Sequence, residues 1–259
     1  MIATRSIAIL APSMLALAAS SAALAQDAAP AAAPAPEAAP APDAWKFKLA
    51  AAFAGSENDD SSNWNLRIAG QAQQKLEANV TTLDVEYYFQ TADGDETDNN
   101  LRVSALEEWL FKESKWELFA QVIYQNDQFA DWEQRIGFYA GPAYRLVEKE
   151  NYKLKVRGGA GANYEFPTEE WTPELLLGES LEWTINDRSK LVNALDLFPD
   201  LDEFGEFRLV VSAEYQIDLD ATKSLKGNLG VRNEYDSYVE TTDGTSNDFK
   251  IYAGISAEF

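Results

Sequence analysis

From Trp45 to the C-terminus, apolar and polar residues alternate with a period of two, in one segment after another. In the segment 82–90, TLDVEYYFQ, positions 83, 85, 87 and 89 are apolar and mostly polar residues lie between them. Successive side chains of a β-strand point to opposite faces of the sheet, so each such segment predicts a strand with one dry and one wet face. No segment of helical period and useful length competes. The pattern therefore predicts an all-β chain.

Twelve alternating segments can be placed along the chain. They predict strands at 45–54, 63–75, 80–90, 100–111, 116–125, 134–147, 153–164, 173–185, 190–198, 207–219, 225–235 and 249–259. Two of these segments carry an acid on the apolar register, Glu107 in one and Glu179 in the other. We expect a β-bulge or a register slip at each of these acids.

The connections between the predicted strands alternate in length and differ in charge. The long set, 55–62, 91–99, 126–133, 165–172, 199–206 and 236–248, holds 21 carboxylates and no Lys or Arg. The short set, 76–79, 112–115, 148–152, 186–189 and 220–224, holds five basic residues and six acids. Strands that run up and down place every long loop at one end and every short turn at the other. The sequence thus predicts an antiparallel meander with an acidic rim at one end.

Such a meander closes with its apolar face either inward, as in a soluble protein, or outward to lipid. The polar face carries charges of both signs, which suits a wet or salt-bridged lumen: Arg67, Glu86, Arg135, Arg157, Arg232 and Glu234. Aromatic residues gather at the short-turn end (Trp45, Trp109, Trp116, Trp183, Phe259) and at the long-loop end (Phe53, Trp64, Phe89, Tyr124, Tyr235). We predict an antiparallel up-and-down transmembrane β-barrel of about 12 strands in the cell outer membrane. The alternative is a secreted or periplasmic β-sandwich binding protein.

The N-terminal residues have a different composition. Arg5 precedes an apolar run at 7–24 that ends in Ala23-Leu24-Ala25, which predicts a cleaved signal peptide over 1–25. Residues 26–44 are rich in Pro and Ala and predict an extended periplasmic tether. The barrel is expected over 45–259.

The composition limits the chemistry of the chain. It contains no His and no Cys, which excludes imidazole bases, thiol nucleophiles, disulfides and ordinary zinc sites. Its formal net charge of −22 argues against nucleic acid as a partner. A carboxylate pair such as Glu182 with Glu214 is the remaining catalytic option, but lumen charges usually neutralise one another. We therefore expect no enzymatic activity and no cofactor.

Several segments resemble the bacterial family of unknown function typified by salt-induced outer-membrane proteins. They are the opening Trp45 strand, YQND at 124–127 with FAD at 129–131, RIGFYAGPAYRL at 135–146, GGAGANYE at 158–165 and the terminal strand that ends in Phe259. The resemblance spans the whole predicted barrel. It implies an outer-membrane location and supplies no activity. It also implies that Phe259, as a C-terminal aromatic residue, is an assembly signal for the barrel assembly machinery.

The acidic rim allows two interpretations. Asp93, Asp95, Glu96 and Asp98 come nearest to a Ca²⁺ loop, and such a site could bridge the rim to anionic lipopolysaccharide. The second and favoured interpretation is a hydrated, repulsive surface without a specific ligand. We expect a non-catalytic protein of envelope structure or of the salt or osmotic response, in contact with outer-membrane lipid and lipopolysaccharide. A narrow cation-preferring channel is the alternative.

Overall fold

The computed structural model describes residues 44–57, 62–203, 205–237 and 247–259. The predicted signal peptide lies outside these residues, as does the predicted tether apart from Ala44. The described residues contain no helix that is long and apolar enough to cross a membrane.

The described chain forms twelve strands. They are β1 (Lys46–Glu57), β2 (Ser62–Lys75), β3 (Asn79–Ala92), β4 (Asp95–Leu110), β5 (Trp116–Asp127), β6 (Gln134–Lys149), β7 (Tyr152–Glu165), β8 (Glu170–Asn186), β9 (Ser189–Pro199), β10 (Phe207–Asp218), β11 (Leu225–Asp236) and β12 (Asn247–Glu258). Each strand pairs with its neighbours in the chain, and β1 pairs antiparallel with β12 to close the barrel. The predicted up-and-down barrel of twelve strands is confirmed, and the β-sandwich alternative is wrong.

The apolar face of the alternation points outward. On β12, Phe249, Ile251 and Ile255 are 55–64% exposed, whereas the intervening Lys250 and Tyr252 are buried. Because the sheet is closed, the second face of every strand lines the lumen. The barrel therefore has an apolar outer wall and an interior that contains most of its paired charges.

The connection between β3 and β4 is much shorter than predicted. Instead of a loop over 91–99, the chain turns at Asp93 and Gly94, whose φ angles are 55° and 87°. Two residues of positive φ make a type I′ turn, for which Asp-Gly is a preferred sequence. Asp95, Glu96 and Asp98 therefore lie in β4 rather than in a loop. At this position the acidic rim consists of strand ends.

The bulges predicted at Glu107 and Glu179 are wrong. Pairing continues without interruption through both residues, and the register shifts near them fall at Thr97 in β4 and Ile185 in β8. Both acids face outward. Glu107 accepts hydrogen bonds from Asn79 Nδ2 and Thr81 Oγ1 at 2.5 and 2.6 Å, which satisfies its carboxylate locally. Glu179 lies between two apolar cross-strand neighbours on the outer wall.

Part of the lumen is apolar, which the alternation did not predict. A buried cluster joins inward residues of β5, β6, β8, β9 and β10: Phe119, Ile123, Tyr139, Ala143, Leu176, Phe198 and Val210. Gly159 makes room for this cluster, because a Cβ at that position would lie 2.9 Å from the Phe119 ring and 2.6 Å from the Ala140 carbonyl oxygen. One side of the interior is therefore filled with packed side chains, and the charged residues occupy the rest.

Candidate functional site in the barrel lumen

The charged residues predicted for the lumen all lie on inward registers. Arg67 Nε donates to Glu86 Oε1 at 2.7 Å and to the Tyr88 hydroxyl at 2.9 Å. The Arg67 guanidinium also lies 4.0 Å from the ring centre of Tyr252. The ion pair joins β2 to β3, and the aromatic contact adds β12. These contacts fix Arg67 in one orientation across three strands.

Glu234 is the centre of the charged network. Its carboxylate is bound by Arg135 from β6 and, at 2.7 Å, by Arg232, which lies on β11 like Glu234 itself. Arg208 from β10 lies 3.9 Å away. Gln125 Nε2 on β5 donates to it at 3.2 Å. One carboxylate thus accepts hydrogen bonds from β5, β6 and its own strand β11, which ties opposite walls of the barrel together.

A second group of pairs lies beside this centre. Arg208 contacts Glu174 at 3.5 Å and stacks over Phe198 at 4.0 Å. Arg157 Nη2 donates to both carboxylate oxygens of Asp196, at 2.6 and 2.8 Å. These contacts place the charged network directly against the apolar cluster.

The long-loop mouth of the lumen is an acidic vestibule of about 340 Å³. Its lining includes the carboxylates Asp98, Asp127, Asp131, Asp236 and Asp248, together with Trp132. Some of this charge is compensated: Lys250 binds Asp98 at 2.9 Å and also binds Asp248, and Arg135 lies 3.5 Å from Asp236. The rim is therefore a partly paired acidic entrance rather than a set of free carboxylates.

The residues predicted as a Ca²⁺ site have separate partners. Asp93 accepts from the Ser62 backbone N–H at 2.8 Å, Glu96 accepts from Asn99 at 2.6 Å, and Asp98 faces Lys250 in the vestibule. Asp95 lies in the strand that follows the turn. Within the described ranges, no group of three or more acidic side chains is arranged to hold a metal ion. The structure therefore adds no support for calcium at this place.

The remaining carboxylates singled out by the sequence, Glu182 on β8 and Glu214 on β10, lie on one cross-strand row with Val192 of β9 between them. Glu182 binds Lys190 at 2.9 Å, whereas Glu214 binds Lys48 at 3.1 Å and the Tyr252 hydroxyl at 3.0 Å. Each carboxylate is occupied by its own cation.

Phe259 closes the seam of the barrel at the short-turn end. Its backbone exchanges hydrogen bonds with Phe47 at 2.8 and 3.0 Å, and the two rings stack 6.1 Å apart. Its side chain is 68% exposed on the outer wall. The residue is therefore accessible from outside the barrel.

Several inward residues were missed in the sequence, among them Arg102, Arg208, Asp196 and the apolar cluster. Arg102 and Arg208 lie on the polar registers of β4 and β10 and could have been found by extending the alternation to those strands. The apolar cluster could not be found this way, because its members occupy positions that the alternation assigns to the polar face. Their position depends on packing across the lumen between strands distant in the sequence.

Several solved structures resemble this barrel. The NanC porin is 10% identical, with 83% of this chain and 99% of that chain covered and a TM-score of 0.47. The translocator domain of the autotransporter NalP from Neisseria meningitidis is 14% identical, with 83% and 88% covered and a TM-score of 0.45. An outer membrane channel from Pseudomonas putida F1 is 12% identical, with 83% and 94% covered and a TM-score of 0.46.

No curated protein matches the sequence. A family model does match, and it covers residues 50–259, which is nearly the whole barrel and includes the lumen network, the vestibule and the C-terminal phenylalanine. The sequence resemblance to a bacterial family of unknown function is thereby confirmed. The chain belongs to the family described as protein of unknown function, DUF481.

Proposed function

We propose that the protein resides in the bacterial outer membrane as a non-catalytic barrel with a filled lumen, and that it serves envelope structure or the response to salt. The observation that carries the proposal is the distribution of polarity, with an apolar wall outside and a charged network inside. Exposed large apolar side chains occur all around the barrel, for example Leu49, Ile68, Val85, Leu118, Leu177 and Leu229. A soluble monomer rarely exposes so continuous an apolar surface.

The dimensions and the aromatic residues agree with a membrane. The strands are 11–17 residues long, and about 9–11 tilted residues suffice to cross the hydrocarbon core. Exposed aromatic side chains lie at the short-turn end (Trp45, Phe47, Trp109, Trp116, Trp183, Phe259) and at the long-loop end (Phe53, Trp64, Phe166, Trp171, Phe249). Two such bands are typical of barrels that span a bilayer.

The outer wall also offers a place for lipid. A groove of about 510 Å³ runs over outward alanines of β4 to β7, including Ala105, Ala120, Ala140 and Ala160. Acyl chains of outer-membrane lipid fit this apolar groove. At the long-loop end, the acidic vestibule would face outward beside lipopolysaccharide, where its carboxylates hold water and repel other anions. This hydrated rim is the feature that supports a role in the response to salt.

The lumen supports a structural barrel over a bulk channel. Leu176, Phe119, Gln125 and Arg135 are each at most 2% exposed although they point inward, so the middle of the barrel is closely packed. The alternative of a narrow cation-preferring channel is supported by the acidic vestibule, but the arginines beneath it would repel a cation. We therefore place the structural role first.

Two measurements test this proposal. The native protein should fractionate with the outer membrane and migrate faster on a gel before heating than after it, as closed barrels do. Purified barrel in a planar bilayer should produce no steady conductance in potassium chloride. Recovery in the soluble periplasmic fraction would refute the location, and stable cation-selective openings would establish the channel alternative instead.

Phe259 provides a test of assembly. Its exposed ring at the barrel seam suits recognition by the assembly machinery, so deletion of Phe259 should reduce the amount of folded protein in the membrane. Substitution of Phe259 by Tyr keeps an aromatic end and should restore insertion. Normal membrane levels of the deletion variant would contradict this role.

A further inference from the structure

Arg102 differs from every other lumen arginine in the described chain. It lies on the inward face of β4 between the buried Asn100 and Ser104. Its Nε is buried and has no hydrogen-bond partner. No carboxylate among the described residues lies within 4.0 Å of its guanidinium. Each of the other six has such a carboxylate: Arg67, Arg135, Arg145, Arg157, Arg208 and Arg232.

The neighbours of Arg102 are held by other cations. Its cross-strand neighbours are Glu86 on β3 and Gln125 on β5. Glu86 is bound by Arg67 at 2.5 Å and lies 4.0 Å from Arg232. Neither oxygen of Glu86 can turn to Arg102 without giving up a contact that it already makes.

Gln125 is held in the same way. Its Oε1 accepts from Arg135 at 3.0 Å and from Arg208 at 3.4 Å, while its Nε2 donates to Glu234. The amide therefore has no free acceptor to direct at Arg102. Arg102 is left as a charge without a direct partner from the chain.

A charge without a direct ion pair is unfavourable in such a place, and Glu234, Asp196 and Glu86 offset that of Arg102 only at longer range. A guanidinium stays protonated at any ordinary pH, so Arg102 cannot escape the penalty by losing its proton. Removing a charge from water without pairing it is costly. Arg102 nevertheless keeps part of its surface accessible, and its inward register directs that surface to the lumen.

We propose that Arg102 binds a small oxyanion, a phosphate or a carboxylate, in the middle of the lumen. The planar fork of a guanidinium matches both groups and binds them through paired hydrogen bonds. Asn100 and Ser104 flank Arg102 on the same face of β4. The Asn100 amide donates one hydrogen bond to Asp127 Oδ2 at 2.7 Å, which leaves its second N–H for the anion.

Binding to the purified barrel in neutral detergent tests the site. Inorganic phosphate and acetate are titrated separately at constant ionic strength, by calorimetry, against the wild type and the variant Arg102→Gln. Lys149→Gln is the matched control, because Lys149 is an exposed cation at the end of β6. We expect one site per barrel for at least one probe in the wild type and the control, and a tenfold or greater loss of affinity in Arg102→Gln.

The result identifies the source of the anion as well. Binding of phosphate alone indicates a phosphate ligand, and binding of acetate alone indicates a carboxylate. Arg102→Lys keeps the charge without the fork and should bind with intermediate affinity. Absence of binding by the wild type, or equal binding by Arg102→Gln, would overturn the proposal.

A second measurement does not depend on the variants. Crystals of the wild-type barrel soaked in bromide should show an anomalous peak beside the Arg102 guanidinium. Peaks confined to the barrel surface would contradict the site. Neither measurement depends on conductance. A negative result for the anion site therefore leaves the proposed structural role untouched, and a positive conductance result leaves the anion site untouched.

Discussion

Substitution of Glu234 by Gln is the most informative perturbation of the lumen. Glu234 binds Arg135 and Arg232 and lies 3.9 Å from Arg208. Gln keeps the size of the side chain and removes only its charge. Three arginines then depend on whatever other carboxylates lie near them.

The structure shows how much each arginine loses. Arg135 keeps Asp236 at 3.5 Å, and Arg208 keeps Glu174 at 3.5 Å. Arg232 keeps only Glu86 at 4.0 Å, an acid that already binds Arg67. The substitution is therefore equivalent to breaking one buried ion pair, and we expect the free energy of unfolding to fall by about 3–5 kcal/mol.

Reversible urea unfolding in lipid vesicles, followed by tryptophan fluorescence, measures this change. Glu150→Gln, in the exposed turn between β6 and β7, is the matched control and should lie within about 0.5 kcal/mol of the wild type. The double variant with Arg232→Gln should recover part of the loss, since it removes the uncompensated charge. A loss below about 1 kcal/mol in Glu234→Gln would refute the view that this carboxylate holds the lumen together.

Three further predictions concern the apolar cluster, the outer wall and a turn. Leu176→Ala should cost about 2–5 kcal/mol in the same unfolding assay, because the side chain is fully buried; an unchanged midpoint would show that the lumen is loosely packed. Glu179→Leu should stabilise the barrel in vesicles by about 1–2 kcal/mol, because an outward carboxylate then no longer faces lipid; a destabilised variant would mean that Glu179 has a partner. Hydrogen bonds from Thr222 and the Leu225 N–H lower the pKa of Asp220 to about 2. Since the folded pKa is below the unfolded value, the contribution of Asp220 to stability is present above about pH 4 and is lost as the pH falls toward 2. Comparison of the wild type with Asp220→Asn across this window measures it, and parallel pH profiles would contradict the assignment.

The fold followed from the sequence because a closed barrel repeats one local rule. Alternation with a period of two fixes which residues share a face of the sheet, and connections that link strands in chain order leave little choice of topology. The main error in the connections lay at Asp93 and Gly94. The Asp-Gly pair was itself a hairpin signal, but the cluster of acids around it suggested a longer loop.

The lumen was only partly predictable. Alternation placed Arg67, Arg135, Arg157 and Arg232 inside the barrel, because each has an outward apolar residue next to it in the sequence: Leu66, Ile136, Val156 and Val231. It could not show which carboxylate each arginine binds, since those contacts cross the lumen between distant strands. It also could not show that Arg102 lacks a direct partner, because that property depends on the full set of neighbouring contacts.

The direction of the two faces is the central claim of this account, and β12 allows a direct test. The chain contains no Cys, so a single Cys introduced at each position from Phe249 to Ser256 can carry one spin label. Collision with lipid-soluble oxygen then reports contact with the bilayer. In outer-membrane lipid, positions 249, 251, 253 and 255 should be accessible to oxygen and positions 250, 252, 254 and 256 protected. Oxygen accessibility at the even positions instead of the odd ones, or equal accessibility along the strand, would contradict an outward apolar wall.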